Sequence, residues 1–232
     1  MNLIAIVIIS LGILTIAIFI FIRLRDQKLL KTVTKPYRGT RSEREMVLNL
    51  LKSKIPAQTI FHDLYLRNSN GKYSQLDLVV ATEVGIVVFE VKEYSGWIFG
   101  TGNQREWTQV LAYGKQKFRF YNPIFQNKKH ITDLINHLAQ FRKIPFYSVI
   151  VFFGDCEFRD LRLIPDDVFL IKSWEVAGVL EKILLENPQA KYTDKREVID
   201  LLNAAVQNGE DSQICEEHIR NIETMLVRYR YN

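Results

Sequence analysis

The sequence predicts an α/β fold in which helices flank a mixed sheet with an antiparallel meander, between one N-terminal transmembrane helix and a C-terminal helical tail. Three observations lead to this class. Residues 2–22 contain no charged side chain, and about 20 apolar residues are enough to cross a bilayer as a helix. Three strand-like runs separated by short turns follow between residues 59 and 94. Apolar residues at helical spacing lie before these runs and again near the C-terminus.

The composition is that of a folded protein with anionic partners. The chain has 232 residues, of which 47% are hydrophobic and 25% charged, and this suits one ordinary domain plus an appendage. Its net charge of +5 favours nucleic acid or anionic lipid. Cys156 and Cys215 show neither C-x-x-C nor Cys/His spacing, so the sequence predicts no zinc site and no disulfide framework.

The first predicted element is a membrane anchor. A cleavable signal peptide would have a basic start, a shorter apolar core and a small-x-small cleavage site, and residues 1–22 have none of these. Seven basic residues follow between Arg23 and Arg41, opposed only by Asp26. The positive-inside rule then predicts a single-pass protein with its N-terminus outside and its domain in the cytoplasm. Residues 23–37 are predicted to be a basic juxtamembrane linker that contacts anionic lipid, or else nucleic acid.

A domain predicted at residues 38–185 begins with an amphipathic helix. Thr40 and Ser42 are candidate N-caps, and an apolar stripe starts at Met46. Helical spacing places Glu43 on the same buried face as this stripe. Glu43 is therefore predicted to point inward, either as a functional carboxylate or as a capping residue only.

The third strand-like run places two charges on one face. Glu90 and Lys92 lie two residues apart in GIVVFEVKEY, where the side-chain period is two. If Ala81 pairs with Ile86 across a four-residue loop, Asp77 comes to lie opposite Glu90. A shift of one residue would turn Asp77 to the other face, so this register is a hypothesis.

Two carboxylates across a strand pair repel each other unless a cation lies between them. Oxygen ligands of this kind suit Mg²⁺ or Mn²⁺, which keep several waters and bind substrate phosphate. Lys92 on the same face could orient an attacking water or stabilise the developing negative charge. An internal salt bridge between Lys92 and Glu90 or Asp77 is the alternative interpretation.

These residues in this order resemble the PD-(D/E)xK nuclease signature, and in detail the nuclease-related domain (NERD) family. The ordered set is Glu43, then Gln75-Leu-Asp77, then Glu90-Val-Lys92, and further matching positions are Gly39, Gly85, Ile86, Gly96, Trp107, Asn122, Pro123, Gln126 and His130. The resemblance covers about residues 38–140. It implies a restriction-endonuclease-like core and a metal-dependent nuclease activity, with DNA expected ahead of RNA.

The next helix begins at Asn122, a good N-cap, with Pro123 at the first helical position. Gln126 and His130 lie four residues apart and share a face. The resemblance places Gln126 near the catalytic pocket, where it would bind the reacting phosphate or its water. His130 is as well explained as a structural histidine, and with His137 it would lack a third metal ligand.

Aromatic and basic residues alternate between Trp97 and Tyr121, around Lys115 and Lys117. They could stack bases and contact phosphates, or form a hairpin whose aromatic rings pack on the core. A buried strand, SVIVFF, then VFLIKS and a helix to about Leu185 are predicted to complete the sheet and cover it.

Residues 186–232 are predicted to be a C-terminal helical extension. Asp194 and Glu197 form a candidate capping box, and NGEDS separates two amphipathic helices. The apolar positions of these helices indicate packing on the domain or binding of a protein partner.

Two functions of different classes fit the sequence. The first is a membrane-anchored nuclease dependent on Mg²⁺ or Mn²⁺, in which Asp77 and Glu90 hold the metal, Lys92 assists the water, and Glu43 and Gln126 support them. The second is a catalytically silent module that keeps the nuclease fold and tethers nucleic acid or a protein to the membrane. The intact D…E-x-K set favours the first function, because a scaffold has no need of this charge cluster.

Overall fold

The computed structural model describes residues 3–68, 70–141 and 143–230 and confirms the α/β class. Residues 1 and 2 of the predicted span, and residues 231 and 232 of the predicted tail, lie outside the described residues. The helices are α1 (Leu3–Leu30), α2 (Arg41–Lys52), α3 (Pro123–His137), α4 (Val176–Glu186), α5 (Lys195–Asn208) and α6 (Ser212–Arg230). The strands are β1 (Ile60–Arg67), β2 (Tyr73–Ala81), β3 (Ile86–Glu93), β4 (Gly96–Thr101), β5 (Glu106–Leu111), β6 (Gln116–Tyr121), β7 (Phe146–Phe153), β8 (Cys156–Arg162) and β9 (Val168–Lys172).

The strands form two sheets. The five-stranded sheet has the order β1-β2-β3-β7-β9, with an antiparallel meander over β1 to β3 and parallel pairing of β3, β7 and β9. Helices α2 and α4 cover one of its faces, and α3 and α5 cover the other. The four-stranded sheet has the order β6-β5-β4-β8 and packs Ile98 and Trp107 against Phe152 of β7. The predicted mixed sheet is thus confirmed, and the second sheet was not anticipated.

Helix α1 is long and apolar enough to cross a membrane, a property that an N-terminal signal sequence shares. Its large apolar side chains from Ile8 to Leu24 are 41–66% exposed. The helix continues to Leu30, so residues 23–30 of the predicted linker are helical. No glycine or proline follows Gly12 until Pro36, and nothing in the backbone therefore ends the helix where the apolar run ends.

The last turns of α1 pack on the domain. Asp26 forms an ion pair with Lys52, the last residue of α2, at 2.6 Å. Leu29, Leu30 and Val33 pack against the core between the sheet and α2. The segment is therefore fixed to the domain by apolar contacts, whereas a linker would leave it free.

The C-terminal helices also pack on the domain, which was one of their two predicted roles. Val198 and Leu202 of α5 are 1% and 0% exposed in the core beside β1. Asp194 caps α5 as predicted, accepting hydrogen bonds from the backbone N–H groups of residues 196 and 197. In α6, His218 Nδ1 forms a 2.9 Å hydrogen bond with the Tyr73 carbonyl of β2.

A buried arginine joins this tail to the start of the domain. The Arg38 side chain is 4% exposed and lies 3.0 Å from Asp63 Oδ2 in β1. It also donates to the Val206 carbonyl at 2.8 Å and to Glu210 Oε1 at 3.0 Å, both at the end of α5. One guanidinium therefore holds three segments that are distant in sequence.

Glu210 should make the stability of this junction depend on pH. Hydrogen bonds from Lys35, Arg38 and Tyr37 lower the pKa of Glu210 to about 2, below the value of about 4.3 expected in an unfolded chain. The stabilising effect is therefore complete above the unfolded pKa and is lost as the pH falls through the folded pKa. We expect the melting temperature of the parent to exceed that of Glu210→Gln at about pH 7, and this difference to vanish near pH 2.

Thermal unfolding of the full chain in detergent across this pH range measures the difference. Glu223→Gln is the matched control, because Glu223 is an exposed carboxylate on α6. A difference that stays constant down to pH 2 would contradict the assignment of this pH dependence to Glu210.

Candidate functional site

The site forms where β2 separates from β3. The predicted pairing of Ala81 with Ile86 is confirmed, and the ladder continues to Leu78 and Phe89. It ends one position before Asp77 and Glu90, so these two residues do not form the regular pair that the register predicted. Instead, Asp77 Oδ2 accepts a 2.8 Å hydrogen bond from the backbone N–H of Val91.

Strand β1 is irregular at the same level. Its pairs with β2 include positions 62 and 64 but leave out Asp63, whose φ of +57° lies in the left-handed region. Gln75 Nε2 donates to Asp63 Oδ1 at 2.8 Å, so Gln75 supports this distortion and not the carboxylate cluster. The register with β2 is the same on both sides of Asp63, so no residue is inserted, and the bend comes from the left-handed conformation that interrupts the extended backbone.

Helix α2 brings a further carboxylate to the site. Thr40 is its N-cap and accepts from the Glu43 N–H at 3.3 Å, while its hydroxyl donates to Glu43 Oε1 at 2.8 Å. Glu43 is 6% exposed, so its predicted inward position is confirmed. Glu43 Oε2 has no hydrogen-bond partner among the described residues.

The E-x-K strand supplies the centre of the site. Glu90 is fully buried, and Lys92 Nζ lies 2.6 Å from its Oε1. His130 Nε2 from α3 lies 3.3 Å from its Oε2. Neither contact has the angles of a hydrogen bond, and both Glu90 oxygens lack a hydrogen-bond partner among the described residues. Lys92 Nζ donates to Gln126 Oε1 at 2.9 Å, so Glu90, Lys92, Gln126 and His130 come together.

The charges of the cluster oppose one another. Burial and the carboxylates of Glu90 and Glu43 raise the pKa of Asp77 well above its usual range. Burial alone would also raise the pKa of Glu90, but Lys92 and His130 outweigh it and lower that pKa. Burial disfavours charge on Lys92, yet Glu90 and Asp77 raise its pKa. Lys92 therefore stays protonated, and a further cation would relieve the repulsion among the carboxylates.

The donor set fits a hard divalent cation that is incompletely coordinated by protein. Within residues 3–68, 70–141 and 143–230, no three His, Cys, Asp or Glu side chains form a metal site by themselves. Mg²⁺ commonly takes only one or two carboxylates and completes its shell with water and substrate phosphate. Asp77 and the unpartnered oxygens of Glu90 are ligands of that kind.

His62 lies beside Glu43 and was not predicted from the sequence as a site residue. His62 is 2% exposed, its Nδ1 is hydrogen-bonded to Thr34 Oγ1 at 2.7 Å, and its Nε2 lies 3.5 Å from Glu43 Oε2. Gly39 makes room for both, because a Cβ at its position would lie 2.5 Å from each of those two atoms. The available signal was two adjacent polar residues, His62 and Asp63, between apolar residues at the strand start IFHDL.

Asn127 was missed as well. Its side chain is fully buried and donates to the Val88 carbonyl at 3.0 Å and to Ser148 Oγ at 2.9 Å. These bonds fix α3 to β3 and β7. They thereby set the position of Gln126, the preceding residue.

The aromatic and basic segment forms a hairpin in which some rings are buried and others are exposed. Trp107 is 1% exposed and packs with Phe120 in the core below the second sheet. Tyr113, Phe118 and Tyr121 are instead 94%, 50% and 45% exposed. The hairpin prediction is thus confirmed for the inner rings, and the outer rings remain available to a ligand.

Comparison with known proteins gives one family and one relative. The family model described as "Nuclease-related domain" matches residues 38–153, which include the whole cluster. An uncharacterized protein of Bacillus anthracis is 28% identical over 198 residues, covering 84% of this chain and 85% of the relative. No solved structure matches the chain.

Proposed function

The chain belongs to the nuclease-related domain family, and on that basis we propose that it is a membrane-anchored, metal-dependent nuclease. It hydrolyses phosphodiester bonds of nucleic acid, with DNA proposed ahead of RNA. The observation that carries the proposal is the meeting of Asp77, Glu90 and Lys92 where β2 leaves β3. Two opposed carboxylates with a fixed ammonium are costly as structure alone, since an apolar set would pack as well.

Asp77 and Glu90 would hold Mg²⁺ or Mn²⁺, and a bound ion of this kind supplies a more acidic water and stabilises negative charge. Lys92 remains protonated and is oriented by Gln126. Its ammonium is placed to orient the water and to stabilise charge on the phosphate oxygens. Glu43 adds negative potential beside Asp77, which attracts a cation to the site.

We propose further that α1 anchors the protein with its N-terminus outside and the domain in the cytoplasm. The exposed apolar side chains of residues 8–24 support a lipid environment. The basic residues from Arg23 onward support this orientation. Leu29 and Leu30 pack on the domain, which supports the proposal that α1 stays part of the protein and is not removed as a signal sequence.

The test is cleavage of labelled duplex DNA, single-stranded DNA and RNA by the full chain in detergent, with Mg²⁺, with Mn²⁺ and with EDTA. We expect cleavage with either metal and none with EDTA or with Asp77→Asn, because Asp77 is a proposed ligand. Folded protein that binds nucleic acid and no metal, and cleaves nothing, would favour the silent tethering module instead.

His62 is predicted to position Glu43. In His62→Gln the amide cannot reproduce both the Thr34 bond and the contact with Glu43, so Glu43 is held less firmly. We expect kcat to fall by about tenfold, since misplacement of a site group by a fraction of an ångström has effects of this order. Isothermal titration should show Mn²⁺ binding weakened in parallel.

Lys72→Gln, at an exposed lysine of the turn between β1 and β2, is the control for the His62 measurement and should leave both values unchanged. A His62→Gln enzyme with parental kcat and Mn²⁺ affinity would limit His62 to packing.

A further inference from the structure

The chain enters the domain at the end opposite the site. Asp26 contacts Lys52 at the C-terminal end of α2, whereas Thr34 contacts His62, beside Glu43 near the N-terminal end of α2. The path from Asp26 to Thr34 is therefore antiparallel to α2. Glu43 and Lys52 are nine positions apart, which corresponds to about 14 Å along a helix.

The start of β3 lies on the side of the domain that α1 reaches. Ile86 N–H bonds to the Pro145 carbonyl, and the preceding turn accepts a hydrogen bond from the Ala190 N–H. Thr59, shortly after α2, shares a cavity with Thr82 of this turn. The segment that follows α2, the β2–β3 turn and the segment before α5 therefore lie together.

Four exposed lysines surround this point, and we call them the lysine end: Lys54, Lys143, Lys191 and Lys195. Lys54 lies two residues after the end of α2, and Lys143 lies two residues before Pro145. Lys191 lies between two residues that bond the β2–β3 turn, and Lys195 lines the cavity with Thr82.

The lysine end carries little compensating negative charge. None of its four ammonium groups forms an ion pair with a residue that the structure describes, and Lys195 contacts only the Tyr192 ring as a cation–π pair. The acidic residues in the same segments are Glu83 and Asp194, and Asp194 is occupied as the N-cap of α5.

We propose that the lysine end rests on anionic lipid headgroups of the bilayer that α1 crosses, while the nuclease site faces away from it. This inference depends on the membrane anchoring proposed above. Asp26 follows Ile22 by four residues, or about 6 Å of helix, so its partner Lys52 and the adjoining end of the domain lie within about one Debye length of the headgroups. The site is about 20 Å from them when both helices stand near the membrane normal.

This arrangement suits a nucleic-acid substrate. Anionic headgroups attract the lysine end and repel phosphodiesters, and both effects fade beyond a Debye length of about 8 Å in physiological salt. A site on the far side of the domain therefore receives nucleic acid without repulsion from the membrane. The bilayer holds the domain in one orientation through two contacts, α1 and the lysine end.

Hydrogen exchange of the full chain in nanodiscs tests the inference. We expect amides of residues 53–59, 82–85 and 190–196 to exchange at least about tenfold more slowly in phosphatidylserine-rich discs than in phosphatidylcholine discs. Residues 116–121, in the second sheet, should not change. The quadruple Lys→Gln variant at positions 54, 143, 191 and 195 should lose the protection, whereas the control Lys115→Gln/Lys117→Gln should keep it.

Two failures can be told apart. Protein released from membranes by alkaline carbonate would overturn both the anchoring and the lipid contact. Protein that stays embedded but exchanges equally in both lipids, or equally in the quadruple variant, would overturn the lipid contact alone.

Discussion

Replacing Lys92 with methionine is expected to reduce cleavage by about 10²–10³-fold, the usual effect of removing one preorganised charge from a site of this kind. The Lys92 ammonium lies 2.6 Å from Glu90 Oε1 and 2.9 Å from Gln126 Oε1. Methionine preserves the side-chain volume and removes the charge. Because the loss of a cation leaves the two carboxylates more negative, Mn²⁺ binding should be retained or strengthened.

A Lys92→Met variant that loses cleavage but keeps Mn²⁺ binding would show that Lys92 has a chemical role and not only a structural one. Single-turnover cleavage and Mn²⁺ titration should be measured on Lys92→Met beside Lys72→Met. Lys72 is an exposed lysine of the β1–β2 turn and serves as the control. Loss of metal binding together with activity would point to a collapsed site, in which Lys92 serves as an internal ion-pair partner.

The Arg38→Met variant is expected to lower the free energy of unfolding by about 3–5 kcal/mol, the cost of removing one partner from a buried ion pair. The Asp63 carboxylate, with 9% of its side chain exposed, would keep only its bond from Gln75. The Val206 carbonyl at the end of α5 would lose its donor as well. The bend in β1 and the attachment of α5 should therefore weaken together.

Urea unfolding of the full chain in detergent, followed by tryptophan fluorescence, measures this change. The control is Arg41→Met, because Arg41 is exposed at the start of α2, and such surface changes usually cost under about 0.5 kcal/mol. An Arg38→Met variant as stable as Arg41→Met would show that apolar packing of α5 suffices to hold the junction.

Features set by local pattern were predictable from the sequence. The stripe that begins at Met46 placed Glu43 inward, because helical period and burial coincide there. The turn before Ile86 set the register with Ala81, and the Asn122 cap set the start of α3. The spacing of Glu90 and Lys92 placed both on one face, as their contact confirms.

The tertiary structure decided what depends on residues that are distant in sequence. Asp77 meets the Val91 N–H because β1 and β2 distort together, and the distortion is held by Arg38 from before α2 and by α5 behind it. Arg38 and Val206 are 168 positions apart, so no periodicity links them.

The difference between the two sets of features has one physical cause. Periodicity and capping record the preference of a short segment for its own conformation, and a sequence shows these directly. Other features arise from contacts that form only when the chain folds. These are the contact of His62 with Glu43, the second sheet, and the ion pair that joins α1 to α2. Local sequence patterns therefore specify the helices, the β1–β3 meander and the family pattern, whereas the packing of distant segments sets the second sheet and the geometry of the charged cluster.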